Sequence, residues 1–380
     1  MSGALDGIRV LDLTRLLPGP FCTMLLADLG ADVVKIEDPR AGDPVRSSSG
    51  GGLFVQVNRD KRSLTLDLKT TEGHDLFLRL VDGADVVVEG FRPGVMERLG
   101  LSSAALAERN PRLIYASLSG FGQSGPYRDR AGHDLNYLAL AGVVGYNIGR
   151  DGQPVPMAVQ VADLGAGSLA AVGILAAVVS RQQTGRGQAV DVSLFASALA
   201  WLPTLMAPLA STGQALEPGE PTLAGGLAQY DVYATADGRW VTLGALEEKF
   251  LLNFFAAVGR EDLAGVRDRE RLRTELRGIF ALRTLAEWVA CLRDVDTCFA
   301  PVNTLQETIA DPHVRATGRF TTVDGVPQIT PPYDFSVTPT SIRRGAPALG
   351  EHSAEILAEV GLSQSEIRAL VERGVTSTQP

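Results

Sequence analysis

Residues 9–37, RVLDLTRLLPGPFCTMLLADLGADVVKIE, contain the pattern that decides the fold. Residues 9–13 and 32–37 are short, apolar-rich segments that predict β-strands. Between them, residues 18–29 begin with proline, repeat apolar side chains at helical spacing and precede Gly30, which together predict a helix. A strand, a helix and a second strand in this order form the unit from which parallel sheets are built.

The same alternation continues through the first half of the chain. A strand is predicted along Leu64, Leu66 and Leu68, and a helix from about Gly73. Further strands are predicted at residues 85–89, 113–118 and 189–194, with an apolar helix at 164–180 and a mobile loop at 46–52. The expected fold class is α/β, with a large Rossmann-like, parallel-sheet domain over residues 1–200.

A different pattern follows a predicted linker over residues 201–226. Two strand-like segments flank Asp237-Gly238, which predicts a hairpin at the start of a smaller α+β domain over residues 227–325. Capping boxes at Thr284/Glu287 and Ser363/Glu366 predict helix starts. Residues 326–380 are expected to return and pack their C-terminal helices on the large domain.

Composition narrows the classes of partner. The net charge of −9 argues against nucleic acid and anionic membranes. Three cysteines do not predict a disulfide framework, so we expect a cytoplasmic protein. The four histidines are scattered without the spacing of metal ligands, so we expect no metal site. The longest apolar run, residues 169–179, is shorter than the ~20 residues of a membrane span.

One glycine pattern invites a nucleotide-binding interpretation. Gly120-x-Gly122-x-x-Gly125 follows a predicted strand. The dinucleotide fingerprint requires a helix at its third glycine, but residues 126–130 (PYRDR) are typical of a loop. A nicotinamide cofactor is therefore not expected.

Three acidic or basic residues, His133, Asp163 and Glu247, could take part in proton chemistry. His133 stands ahead of an apolar run, where its neighbour Asp134 predicts a helix N-cap and the helix dipole would favour a neutral His133. Asp163 opens the apolar helix, and Glu247 follows a predicted strand at the start of another helix. Each residue is also explained by capping or by a favourable charge in a first helical turn. From these patterns alone the chemistry stays open.

A resemblance to a known family adds an assignment. Motifs along nearly the whole chain resemble the family III CoA-transferase superfamily, and Gly132–Tyr137 (GHDLNY) resembles its α-methylacyl-CoA racemases. The other matching segments are residues 19–20, 29–35, 61–63, 66–69, 89–94, 110–115, 120–126 and 184–188.

The racemase resemblance implies a reaction and roles for the candidate residues. His133 and Asp163 would be the acid/base groups on opposite faces of C2 in a 2-methylacyl-CoA, and Glu247 would orient His133. Backbone N–H groups near Asp134 would stabilise a thioester enolate. No cofactor is expected, because the CoA thioester is itself the substrate. The resemblance also implies an interlocked homodimer in which Glu247 of the partner subunit approaches His133, and a place in lipid metabolism.

The resemblance also implies where CoA binds. The candidate residues are Leu66, Asp67, Leu68, Lys69, Gly90, Phe91, Arg92, Arg98, Gly132, Asn136 and Tyr137. This sequence carries Asp38 where racemases of the family have an arginine, so we expect either Arg40 or Lys35 to compensate.

Two other functions stay open at this point. A CoA-transferase would use Asp163 as a nucleophile, forming an anhydride and then a thioester with CoA. Residues 349–352 (LGEH) are also typical of the transferases. A non-catalytic acyl-CoA-binding protein is the third interpretation, because a fold alone does not establish a function.

Overall fold

Six parallel strands form the central sheet, in the order β3-β2-β1-β4-β5-β6. The structure is a computed structural model that describes residues 3–378. The strands are β1 (Arg9–Leu13), β2 (Asp32–Glu37), β3 (Lys61–Thr65), β4 (Val86–Glu89), β5 (Ile114–Ser119) and β6 (Ala189–Ser193). This order is that of the doubly wound dinucleotide-binding fold, and it confirms the predicted α/β class with a Rossmann-like sheet.

Helices are the most abundant regular elements of the described chain. They are α1 (Pro18–Asp28), α2 (Gly52–Val57), α3 (Thr71–Asp82), α4 (Val95–Arg98), α5 (Ser103–Arg109), α6 (Asp134–Leu140), α7 (Val143–Tyr146), α8 (Val161–Thr184), α9 (Leu194–Ala200), α10 (Pro203–Thr212), α11 (Glu248–Val258), α12 (Arg269–Phe280), α13 (Leu285–Leu292), α14 (Leu305–Ala310), α15 (Pro312–Ala316), α16 (Ser353–Glu359) and α17 (Gln364–Glu372). Smaller antiparallel sheets are formed by β7 (Tyr230–Ala234), β8 (Trp240–Gly244) and β9 (Phe299–Pro301), and by β10 (Phe320–Val323) and β11 (Val326–Ile329).

The chain divides into two compact units. The first contains the described residues up to Ala141, Met157–Trp201 and the described residues from Ala316 onward. The second contains Gly142–Pro156 and Leu202–Arg315. In the second unit, β7, β8 and β9 pack with α11, α12 and α13 around Tyr233, Phe280 and Trp288.

The first unit buries both faces of its sheet. On one face lie α1 and α8, and on the other lie α3, α16 and α17. A Cβ on Gly167 of α8 would lie 2.6 Å from the carbonyl oxygen of Pro18, so only glycine permits this close approach of α8 to α1. The result is a rigid sheet whose strands all end at one edge.

Helix α8 is longer than the sequence pattern predicted. It spans 24 residues, and by length and composition alone it could cross a membrane. Half of its most apolar segment is buried inside the protein, however, where it packs on α1 and the sheet. Its length is therefore explained by the sheet and helix that it covers.

Two local predictions are wrong. Leu66 and Leu68 lie beyond β3, because the strand ends at Thr65, the last residue paired with β2. The N–H of Leu66 still donates to the carbonyl oxygen of Glu37 at 2.8 Å, but the N–H of Asp67 donates to Val375 instead. Residues 46–52 were predicted as a mobile loop, but they contain tight 3₁₀ turns and the start of α2. Arg46 holds this segment, because its guanidinium pairs with the buried Glu37 at 2.7 Å.

Candidate functional site

The carboxyl ends of the central strands form a cavity of about 610 Å³. It is lined by residues directly after β1, β4 and β5, together with residues near the starts of α6 and α8. In open parallel sheets, this edge is where ligands bind. His133 and Asp163 both line the cavity, so two of the predicted catalytic residues come together in one site.

Asp134 connects the two helices that present these residues. Its Oδ1 accepts hydrogen bonds from the backbone N–H groups of Ala162 (2.8 Å) and Asp163 (3.1 Å). Asp134 therefore caps α8, and the prediction that it is the N-cap of its own helix is wrong, because His133 occupies that position. Asp163 is likewise not an N-cap but the third residue of α8.

Asp163 is the group whose environment most changes its chemistry. Burial, together with the neighbouring charge of Asp134, raises the pKa of this carboxyl to about 7. The dipole at the start of α8 favours the ionised form, but burial has the larger effect. Asp163 can thus hold or release a proton near neutral pH, which is the property that an acid/base catalyst needs.

His133 is exposed on the cavity wall and is fixed through its backbone. Its N–H donates to Oδ1 of Asn136 at 3.0 Å, which holds the first turn of α6. Asn136 was a candidate CoA contact, but it is not among the residues that line the cavity. In this structure its side chain instead shapes the turn that carries His133.

Tyr137 packs into the floor of the same cavity. Its hydroxyl donates to the carbonyl oxygen of Gly132 at 2.7 Å, and its ring lies edge-on to Phe121. A Cβ on Gly120 would lie 2.6 Å from Oη of Tyr137, and one on Gly132 would lie 2.8 Å from the ring. Burial raises the pKa of Tyr137, and the charge of Asp163 adds to this effect. The uncharged Tyr137 side chain therefore packs between the segments that contain Gly120 and Gly132.

A second cavity of about 480 Å³ adjoins the first. Its wall contains the predicted CoA contacts Leu66, Asp67, Leu68, Lys69, Phe91 and Arg98. Gly90, Phe91, Arg92 and Gly132 line the first cavity, so Phe91 belongs to both. The two cavities share Arg15 and Phe91 in their walls, and together they are called the groove. Such a pair suits a long ligand that reaches from Lys69 to Asp163.

Arg40 and Lys35 were expected to replace the arginine that racemases of the family have at position 38, but neither lines the second cavity. Lys35 is fully buried and pairs with Asp43, so it is unavailable to a ligand and that part of the prediction is wrong. Arg40 pairs with Asp38 (3.1 Å) and Asp67 (2.9 Å) and does not line the cavity. The carboxylates of Asp38 and Asp67 are thus neutralised at the cavity wall.

Glu247 belongs to the second compact unit. It is exposed and stands immediately before α11, where it occupies the N-cap position without a side-chain capping bond. Its assigned role stays a prediction. Among the described residues, no group of three or more histidine, cysteine or acidic side chains could hold a metal ion.

Two further arginines belong to the site and were not predicted from the sequence. Arg15 lines both cavities, and Arg130 lines the cavity with His133. For Arg15 a signal was available, because it comes two residues after β1, at the edge where ligands bind in such sheets.

Comparisons with known proteins agree with this geometry. The sequence profile of CoA-transferase family III matches residues 5–353. This chain belongs to CoA-transferase family III. It is 40% identical to the alpha-methylacyl-CoA racemase of Mus musculus, over 96% of this chain and 96% of that protein. It is 39% identical to the succinyl-CoA:mesaconate CoA-transferase of Haloarcula hispanica, over 95% of this chain and 97% of that one.

A solved structure agrees at the level of the fold. The CAIB/BAIF family protein from Brucella suis matches this structure with a TM-score of 0.85 and 31% identity, over 95% of this chain and 100% of that one. The family III chain is thus an enzyme of the CoA-transferase/racemase class. Racemase and transferase relatives are similarly identical to it, so the particular reaction must be argued from the site.

Proposed function

We propose that this family III enzyme is an α-methylacyl-CoA racemase, which interconverts (2R)- and (2S)-2-methylacyl-CoA. The observation that carries the proposal is that His133 and Asp163 line one cavity, with Asp163 able to exchange a proton near neutral pH. Racemisation needs two such groups, one to remove the C2 proton and one to deliver a proton to the opposite face. Positioned acid/base groups of this kind typically contribute about 10²–10⁴-fold each.

The proposed reaction passes through a thioester enolate. In one direction ionised Asp163 takes the C2 proton, the C–H electron pair moves into the enolate, and protonated His133 returns a proton to the other face. Asp163 is then protonated and His133 is neutral, which is the state that the reverse reaction needs. The first N–H groups of α6, beginning at Asp134, lack helical partners and are the proposed donors to the enolate oxygen.

A second candidate function is CoA transfer between carboxylic acids. The 39% identity to a succinyl-CoA:mesaconate CoA-transferase favours it. In that reaction the ionised carboxylate of Asp163 attacks the thioester carbonyl and expels CoA thiolate, which leaves a mixed anhydride. The thiolate attacks the Asp163 carbonyl of this anhydride, which releases the first carboxylate and leaves a CoA thioester on Asp163. The acceptor carboxylate attacks that thioester and expels the thiolate, which then takes the acceptor acyl group and frees Asp163. His133 has no required role in this scheme, so its contribution separates the two functions.

We also propose that the active form is an interlocked homodimer. Val172, Ala176 and Val179 form an exposed apolar stripe along α8, and Val172 is 61% exposed. An exposed apolar stripe of this kind is typical of an interaction surface. In such a dimer, Glu247 of the partner subunit would orient His133.

Incubation of a single enantiomer of 2-methylbutanoyl-CoA with the enzyme in deuterated water tests the proposal. Racemisation predicts deuterium at C2 together with loss of optical purity. A parallel reaction with added succinate tests the alternative, because a transferase would form succinyl-CoA without deuterium at C2. Binding of the thioester with neither reaction would favour a non-catalytic acyl-CoA-binding protein.

A further inference from the structure

Arg15 stands where the two cavities of the groove meet. It lines both of them, it is exposed, and its guanidinium carbon lies 5.1 Å from the ring centroid of Phe91. Within residues 3–378 no hydrogen bond or ion pair of Arg15 is present. A guanidinium group without an acidic partner at a ligand groove is suited to bind an oxyanion, because its fork of N–H groups matches such oxygens.

A buried ion pair holds the turn on both sides of Arg15. Nζ of Lys35 donates to the carbonyl oxygen of Thr14 at 2.9 Å. The N–H of Leu16 donates to Oδ1 of Asp43 at 3.1 Å. Lys35 and Asp43 pair with each other at 3.1 Å, and both side chains are fully buried. The backbone before and after Arg15 is therefore fixed from inside the protein.

Leu16 shows that this turn is constrained. Its φ of +69° lies in the left-handed region, which residues other than glycine seldom adopt. Such backbone persists only where the surroundings enforce it, and it concentrates at ligand and active sites. Asp43 is well placed to enforce it, since its own N–H donates to Oε1 of Glu37 at 2.9 Å.

We propose that Arg15 binds an oxyanion of the acyl-CoA substrate and that the Lys35–Asp43 pair positions it for this role. The inference rests on the proposed acyl-CoA substrate but not on proton exchange at C2. Two parts of the substrate can supply the oxyanion, the phosphates of CoA or a carboxylate on the acyl chain. The position of Arg15 between the two cavities allows either source.

Equilibrium binding to Arg15→Ala, Arg15→Lys and the exposed-arginine control Arg186→Ala separates these sources. The ligands are CoA, pantetheine, butyryl-CoA and glutaryl-CoA. We expect Arg15→Ala to weaken oxyanion binding about tenfold or more, with partial recovery in Arg15→Lys and no change in Arg186→Ala. A loss shared by the three CoA compounds and absent for pantetheine assigns a phosphate. A loss confined to glutaryl-CoA assigns an acyl carboxylate.

The positioning role has its own readout. Asp43→Asn and Leu16→Gly loosen the turn without removing Arg15, so each should reduce the same preference that Arg15→Ala reduces, either for CoA over pantetheine or for glutaryl-CoA over butyryl-CoA. A merely structural role would lower the melting temperature and leave that preference unchanged. Less than a twofold effect of Arg15→Ala on every ligand would overturn the proposal. If Arg15 binds CoA as expected but no C2 exchange occurs, only the racemase function fails.

Discussion

Asp134 caps the helix that carries Asp163, with its Oδ1 3.1 Å from the backbone nitrogen of that residue. One carboxylate therefore both stabilises the start of α8 and places negative charge beside a second carboxyl group. Like charges disfavour a second ionisation, so the cap adds to the effect of burial on Asp163. The two candidate residues of the site are coupled through a structural hydrogen bond.

Asp134→Asn should shift the pH dependence of catalysis. Its side-chain oxygen can still cap α8, but the like charge is gone, so the pKa of Asp163 should fall from about 7 while burial keeps it above its usual value. In the direction that needs ionised Asp163, kcat/KM should rise at lower pH than in the wild type. In the opposite direction, kcat/KM should begin to fall at lower pH. Identical profiles in both enzymes would contradict the coupling.

Asp134→Ala is the matched comparison. It removes the cap as well as the charge and should destabilise the protein by about 1 kcal/mol, within the range for helix N-caps. Asp134→Asn should retain most of that stability. Chemical denaturation of the two variants measures the difference, and equal losses would show that the hydrogen bonds to α8 contribute little.

Asp163 should also make stability depend on pH. Its folded pKa of about 7 exceeds the usual value of 3.8, so between these values the folded state binds the extra proton. Stability from this group is present below about pH 4 and is lost as pH rises to 7. The melting temperature of the wild type should fall more between pH 5 and pH 8 than that of Asp163→Asn. Parallel melting curves across this range would exclude the raised pKa.

The packing of Tyr137 against two glycines predicts different outcomes when each glycine is replaced. Gly120→Ala would place a Cβ against Oη of Tyr137, whereas Gly132→Ala would place one against its ring. Each should destabilise the protein by about 1–3 kcal/mol through overpacking. Tyr137→Phe removes only Oη, so it should partly rescue Gly120→Ala and not Gly132→Ala. A double-mutant cycle on unfolding free energies measures this, and equal rescue would refute the packing described.

The apolar stripe on α8 predicts a link between assembly and activity. Glutamate at both Val172 and Val179 should convert the dimer to a folded monomer without racemase activity, since Glu247 of the partner subunit is then absent from the site. Val337→Glu is the control, because Val337 is 81% exposed and lies outside the stripe. Sedimentation velocity with exchange assays measures both properties. A fully active monomer would contradict the proposed dimer.

The sequence predicted regular elements better than their side-chain contacts. Strands β1 and β2 lie where the apolar segments of residues 9–37 placed them, because alternating strand and helix patterns are local signals. The capping role of Asp134 was missed, since its partners are 28 and 29 residues away along the chain. Strand β3 was predicted too far along the chain, because Leu66 and Leu68 continue the apolar alternation beyond Thr65, the last residue paired with β2.

Site residues were likewise predicted where a motif marks them, and were missed where their role depends on contacts formed only in the folded chain. His133 and Asp163 were found through motif resemblance, and the structure brings them to one cavity. Arg15 belongs to no matched motif, and its place just after β1 marks it only as near the ligand edge, because the two cavities that it lines exist only after β1 and β4 pair. The burial of Lys35 could not be anticipated either, because lysine is seldom fully buried without a partner such as Asp43.

Face-resolved hydrogen exchange at C2 tests the central claim most directly. Each enantiomer of 2-methylbutanoyl-CoA is incubated in deuterated water with His133→Ala and with Asp163→Asn, and deuterium at C2 is measured by NMR. Two groups on opposite faces predict that each variant loses racemisation by about 10²–10⁴-fold. Each variant should still exchange the enantiomer whose proton faces the remaining group, so the two should have opposite preferences. Undiminished exchange of both enantiomers by His133→Ala would contradict the two-residue mechanism.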